Sequence, residues 1–182
     1  MQRYRDKVNM WTNKGDHWEL LIVRDNTIVL VDSDDQKTCS KYTWTTSKAF
    51  EKYPYVLTFI LTKNKWHSVP MHRIIMSEKS DIDHINHNVC DNRRQNLRVC
   101  NKINNCHNRR KRIHKNGIST KSKYKGVTQS NSKKWVARIV VGKERLWIGS
   151  FEEEIEAAKA YYSAAVKYYK EFAMTNKMLG LL

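Results

Sequence analysis

Three carboxylates, three imidazoles and a series of carboxamides lie close together in Asp81-Ile82-Asp83-His84-Ile85-Asn86-His87-Asn88 and the stretches that follow it, Asp91-Asn92-Arg93-Arg94-Gln95-Asn96-Leu97-Arg98 and Asn104-Asn105-Cys106-His107-Asn108-Arg109-Arg110. An Asp and an Asn offer hard oxygen ligands of the kind Mg²⁺ accepts, with positions left for water and phosphate oxygens. A neighbouring His, whose ordinary pKa is about 6.5, takes a proton from water at neutral pH. Adjacent arginines, here Arg93, Arg94, Arg109 and Arg110, hold a phosphate backbone. Together these groups suit a metal-assisted attack on a phosphodiester. The same residues also suit an Asn/Asp-rich turn region whose side chains bond their own backbone. Residue types alone leave both readings open.

The spacing resembles the His-Asn-His (HNH) nuclease motif, especially its phage and intron-encoded homing-endonuclease branch. Asp83-His84, Asn96-Leu97-Arg98 and Asn105 match its Asp-His pair, its Asn-Leu-Arg and its final ligand with no insertion. The resemblance implies a ββα-metal fold, with strands near 81–85 and 97–100 and a helix from about 102 to 112. It also implies roles. His84 would be the general base and Asn96 a brace for its loop, while Asp83 and Asn105 would ligate one divalent cation, Mg²⁺ with Mn²⁺ as a substitute. Many relatives end the motif with His where this chain has Asn105, and Asn104 is an alternative ligand.

The elements that must position such a site sit in a chain of 182 residues with 34 Lys and Arg against 18 Asp and Glu, a net +16. That balance predicts a polyanionic partner. Residues 1–70 carry a net +3, 71–118 a net +7 and 119–182 a net +6, so the excess lies in the last two thirds. The four cysteines, Cys39, Cys90, Cys100 and Cys106, include no Cys-x-x-Cys pair, so reduced thiols are expected and no zinc. No apolar run nears the roughly 20 residues of a membrane span, so a soluble, intracellular protein with no membrane partner is expected.

The fold expected is α+β. A β-rich scaffold or arm occupies 1–70, the nuclease core 71–112, a basic linker 113–121, a second module 122–176 and a tail 177–182. In the first part, Trp18–Val23 and Thr27–Val31 flank Arg24-Asp25-Asn26 as a hairpin, and Tyr42–Thr45, Tyr55–Leu61 and Trp66–Val69 read as further strands. Asp32 to Lys37 is an acidic turn or the start of a short helix. Met71–Met76 reads as a helix, with Arg73 either on phosphate or capping a helix end.

After the linker, Tyr124–Val127, Lys134–Ile139 and Leu146–Phe151 are strand-like, and Glu156–Tyr161 opens a helix with alanines at i, i+3 and i+4. This resembles the Apetala-two/ethylene-response-factor DNA-binding domain over about 122–176, ending at Asn176. That family lays its sheet in the major groove. The resemblance implies DNA contacts from Lys125, Gly126, Arg138, Arg145 and Trp147, and a phosphate contact from Tyr161. The loop Thr128–Lys133 lacks the Arg and Trp of the plant domain, so no base preference transfers.

The expectation is therefore a site-specific homing-type endonuclease acting on double-stranded DNA, as monomer or homodimer. The alternative is a DNA-binding regulator with a degenerate, non-cleaving nuclease fold. A third reading, an RNA- or ribosome-binding protein, accounts for the charge alone.

Overall fold

The computed structural model describes residues 9–47, 55–108, 114–115, 118–119, 121–174 and 180–181. It is α+β, several small antiparallel sheets with few helices, and divides into two compact units, Met1–Asn101 and Lys102–Leu182. Among the described residues no helix is long and apolar enough to cross a membrane.

In the first unit, β1 (Met10–Asn13), β2 (His17–Ile22) and β3 (Thr27–Asp32) form an antiparallel sheet. Alternation along β2 and β3 buries Leu20, Ile22, Val29 and Val31 on one face. A short helix, α1 (Ser33–Cys39), follows at the acidic stretch, with Asp34 and Asp35 in its first turn, where carboxylates favour the helix dipole. A second sheet joins β4 (Thr45–Thr46), β5 (Val56–Thr62) and β6 (Lys65–Pro70). The strands expected before residue 71 thus divide between two sheets. Pro70 has no amide hydrogen to give to a ladder and stands as N-cap of α2 (Met71–Met76). Met71 and Ile75 of that helix enter the core with Trp44, Val56, Ile82 and Leu97.

β7 (Asp81–His84) pairs antiparallel with β8 (Leu97–Cys100), Asp83 opposite Arg98 and His84 opposite Leu97. The intervening loop is tied to the first sheet. The Leu30 amide donates to the Cys90 carbonyl at 2.8 Å, and the Asn92 amide to the Leu30 carbonyl at 2.9 Å.

The second unit opens with α3 (Lys102–His107). Two-residue strands β9 (His114–Lys115) and β10 (Ile118–Ser119) pair antiparallel. Then β11 (Val127–Gln129), β12 (Trp135–Val141) and β13 (Glu144–Phe151) make a three-stranded antiparallel sheet. Helix α4 (Glu154–Tyr169) buries Ala157, Ala158, Tyr161, Ala165 and Tyr169, the i, i+4 row of one face. Alanines on that row let the helix approach the sheet closely, and Val127, Ala137 and Ile139 complete the core.

The first strand of this sheet starts later than the expected 124–127. Gly126 has φ +76, a left-handed conformation that ends extended backbone before Val127. The Tyr169 hydroxyl closes the edge of β12 beyond the reach of β11, donating to the Val140 carbonyl at 2.6 Å and accepting from its amide at 3.3 Å. The same ring stacks on His107 of α3, centroids 3.7 Å apart and planes 10° off parallel.

Candidate functional site

Asp83 and His84, the expected cation ligand and base, lie on β7 and are 8% and 4% exposed. Arg98, directly across the ladder, donates to Asp83 Oδ2 from Nε at 3.0 Å and from Nη2 at 2.7 Å. A carboxylate so engaged in a desolvated site is held by charge-assisted bonds to its partner. The His84 ring meets His72 edge-on at 5.1 Å, and its Nε2 lies 3.5 Å from Asn92 Oδ1. Burial lowers the pKa of His84 against the raising effect of Asn92, Asp83 and Asp91. Asn105 lies on α3, in the other unit. Among the described residues no group of three His, Cys, Asp or Glu side chains gathers in an arrangement that would hold a metal ion.

The Asn/Asp loop satisfies itself. Asn96 Oδ1 accepts from the Asn86 amide at 2.9 Å, and its Nδ2 donates to the Asp91 carbonyl at 2.8 Å. Asn86 Oδ1 accepts from the Asn88 amide at 2.7 Å, Asn88 Oδ1 from the Cys90 amide at 3.1 Å, and Asn92 Nδ2 donates to the Val89 carbonyl at 3.2 Å. These are side chains in the role of backbone, the turn chemistry that short carboxamides provide.

The arginines divide into two kinds. Arg93 donates from Nε and Nη2 to the two oxygens of buried Asp91 at 2.8 and 2.9 Å. Arg94 grips Asp35 of α1 with two bonds of 2.8 Å and reaches the Ile75 carbonyl at 2.9 Å, while its amide donates to Asp32 at 2.6 Å. Arg73 bonds the Lys79 carbonyl at 3.3 Å and faces Asp81 at 3.6 Å. Arg24 donates to the Thr46 carbonyl at 3.4 Å. The heads of Arg73, Arg93 and Arg94, expected at phosphate, tie loops and helices together inside the first unit. Arg109 and Arg110 lie outside the described residues.

In the second unit the pattern reverses. Arg138 and Arg145 are exposed on the sheet face turned away from α4, and neither forms an ion pair with a described residue. Arg138 stands opposite Trp147 in the ladder, and Arg145 opposite Val140. Trp147 is 64% exposed, an unusual position for a large apolar ring. A register shift between Ala137 and Arg138 leaves Ile148 of β13 without a ladder partner, so that Trp147 stands opposite Arg138. Thr128 and Ser150, missed in the sequence, extend the same face across the ladder from Val136, and only the register reveals them.

Three further residues expected at DNA, Tyr161, Gly126 and Lys125, meet partners inside the second unit. Tyr161 is 3% exposed, and burial raises its hydroxyl pKa. Gly126 lies beneath that ring, where an added Cβ would come within 1.9 Å of Tyr161 Cδ2. Lys125 donates from Nζ to the His107 carbonyl at 2.5 Å, and burial pulls its pKa down to about 8. The glycine and the tyrosine are a packing pair, and the lysine caps the end of α3.

Over 55 residues, 30% of this chain, the sequence is 44% identical to the AP2/ERF and B3 domain-containing transcription factor RAV1 of Arabidopsis thaliana, of which the match covers 16%. It is 39% identical over 67 residues to the AP2/ERF and B3 domain-containing transcription repressor TEM1 of the same plant, covering 34% of this chain and 19% of that protein. It is 40% identical over 67 residues to the ethylene-responsive transcription factor ERF069, covering 42% of it. The chain thus spans less than half the length of these relatives. No family model matches the chain, and no solved structure matches it. About 30% of the chain is therefore AP2/ERF-like. The homing endonuclease expected from Asp83, His84, Asn96 and Asn105 is overturned by this finding. The relatives are named for transcription, not for cleavage, and enzymatic activity goes with that expectation.

Proposed function

We propose that the chain is a non-catalytic regulator that binds double-stranded DNA through the outer face of β11–β13. The observation that carries the reading is the contrast among arginines. Each described arginine of the first unit is bonded within that unit, whereas Arg138 and Arg145 stand free of described ion pairs beside exposed Trp147. A free guanidinium fork matches the O6 and N7 acceptors of guanine, and a flat ring packs against base or sugar. Side chains two apart on a strand repeat every ~6.8 Å, close to two base steps of 3.4 Å, so Arg145 and Trp147 address neighbouring parts of one groove. The relatives' printed role in transcription agrees with this use, and the stretch about 122–176 is where we place it.

The test is selection of the full chain on a randomised duplex library with Mg²⁺ present, followed by binding to the selected site. Replacing Arg138 or Arg145 with Ala is expected to weaken binding by about 1–3 kcal/mol each and to relax the base preference at one position. Unchanged binding by the double variant refutes the reading, as does recovery of cut duplex.

A further inference from the structure

The first unit carries a feature that the paired arginines leave untouched. β5 and β6 continue beyond β4, which covers only Val56 and Leu57, so the hairpin from Phe59 to Ser68 is a two-stranded ribbon. Its ladder pairs Leu61 with Trp66 and Phe59 with Ser68 on one face. Phe59 is 56%, Leu61 53% and Trp66 67% exposed. Such ribbons are marginal alone, and monomeric proteins rarely leave so contiguous an apolar face in water.

The tip fixes the chemistry of the occupant. Lys63 and Asn64 have φ 49 and 60, so both central residues of the turn are left-handed, the type that matches the twist of a hairpin. Lys63 and Lys65 therefore flank the Leu61–Trp66 pair at the free end, both exposed. From Tyr55 to Ser77 the chain has no Asp or Glu. An apolar face alone would suit many partners. An apolar wedge bordered by cations, in a stretch of sequence without an acid, suits a surface that is apolar inside and anionic at its rims, which describes the minor groove of a duplex.

We propose that the β5–β6 ribbon is a second DNA-binding element of this chain, which presses Leu61 and Trp66 into a minor groove beside the stretch read by β11–β13 and sets Lys63 and Lys65 on the flanking phosphates. This rests on the DNA-binding reading above and adds to it a longer site and a local distortion of the duplex. Apolar wedges unstack a base step, so flexible pyrimidine–purine steps are the expected place of contact.

The test uses the full chain and two duplexes, one trimmed to the site selected for the sheet face and one extended on both sides. The Leu61→Ser/Trp66→Ser variant is expected to bind the extended duplex about tenfold more weakly and the trimmed duplex as the parent does, a loss of about 1.4 kcal/mol confined to the flank. The Lys63→Ala/Lys65→Ala variant is expected to lower the slope of log K against log salt by about 2 on the extended duplex only. The change in tryptophan emission on binding the extended duplex should be smaller for Trp66→Phe than for the parent. Equal behaviour of parent and both variants on the two duplexes overturns the proposal. So does self-association of the parent that the Leu61→Ser/Trp66→Ser variant loses while DNA affinity stays constant, which would make the face a protein interface. A parent that binds neither duplex removes the DNA-binding reading itself, whereas one that binds the trimmed duplex with Arg138 dependence keeps that reading whatever the ribbon does.

Discussion

Replacing Gly126 with Ala separates a packing role from a DNA contact. The residue sits at φ +76, and a Cβ there would lie 1.9, 2.2 and 2.6 Å from Cδ2, Cε2 and Cγ of the Tyr161 ring. Two costs follow. The left-handed backbone costs a β-carbon residue about 1–2 kcal/mol. Displacing a buried ring is overpacking, which costs about 1–3 kcal/mol, because Tyr161 belongs to the buried cluster with Val127, Ala157 and Ala158. Their sum, about 2–5 kcal/mol, is a large share of the 5–15 kcal/mol that holds an ordinary domain together. The Gly126 carbonyl also accepts from the Arg138 amide at 2.9 Å, so any shift is passed to the strand that presents Arg138. Urea unfolding of the full chain, followed by emission of half-buried Trp135, measures the loss. Pairing Gly126→Ala with Tyr161→Ala tests its cause: with the ring gone the clash vanishes, and the double variant should be more stable than the sum of the single losses. If Gly126→Ala unfolds within about 0.5 kcal/mol of the parent, the level of an ordinary surface substitution, and loses DNA binding all the same, then the close approach is to DNA and the packing argument is wrong.

Two further predictions concern the first unit. Burial, and then repulsion from His84 and Arg73, pushes the His72 pKa down to about 3, and the ring faces His84 at 5.1 Å and Tyr55 at 5.8 Å. As pH falls below about 6.5 the unfolded chain takes up a proton that the folded chain refuses, so stability present above that pH is lost at about 1.4 kcal/mol per unit, or about 2 kcal/mol by pH 5. Burial of His84 acts in the same direction. A His72→Asn variant should show a shallower decline in urea unfolding from pH 7.5 to 5, and an NMR titration of the His72 ring near pH 6.5 would refute the argument. Replacing Arg94 with Ala leaves buried Asp35 without its two bonds of 2.8 Å. Because the arginine itself is half exposed, the expected cost is about 1–3 kcal/mol of stability. Affinity for duplex DNA should be unchanged once folded protein is counted, and a selective loss of affinity at constant stability would return Arg94 to the DNA surface.

How far the chain could be read in advance depends on the range of the interactions involved. The strands at 135–141 and 144–151 and the helix at 154–169 follow from alternation and from alanines at helical spacing, both local signals. Hairpins 17–32 and 56–70 were legible for the same reason. The fate of the arginines was not. Arg94 finds Asp35 59 residues away, and Arg98 finds Asp83 only through the register of a two-stranded ladder. Composition counts cations but not their partners. The burial of Tyr161 was not legible either, because a tyrosine beside alanines on a helix offers the same pattern whether its hydroxyl meets phosphate or its ring fills a gap; the positive φ of Gly126, which makes room for that ring, is invisible in the sequence. The Asp83–His84 motif was misread for a related reason. Its spacing is that of a reaction centre, yet the carboxamides around it are taken up by backbone partners within ten residues.

The internal use of Arg73, Arg93, Arg94 and Arg98 has a consequence for ionic strength. Counterions released on complex formation are those that leave phosphates when free protein cations replace them. A guanidinium already shared with Asp35, Asp83 or Asp91 displaces little. The chain should therefore bind its duplex with a weaker dependence on added salt than its formal charge of +16 suggests, and the tally of ions set free should follow the unshared cations of the exposed sheet and the ribbon tip.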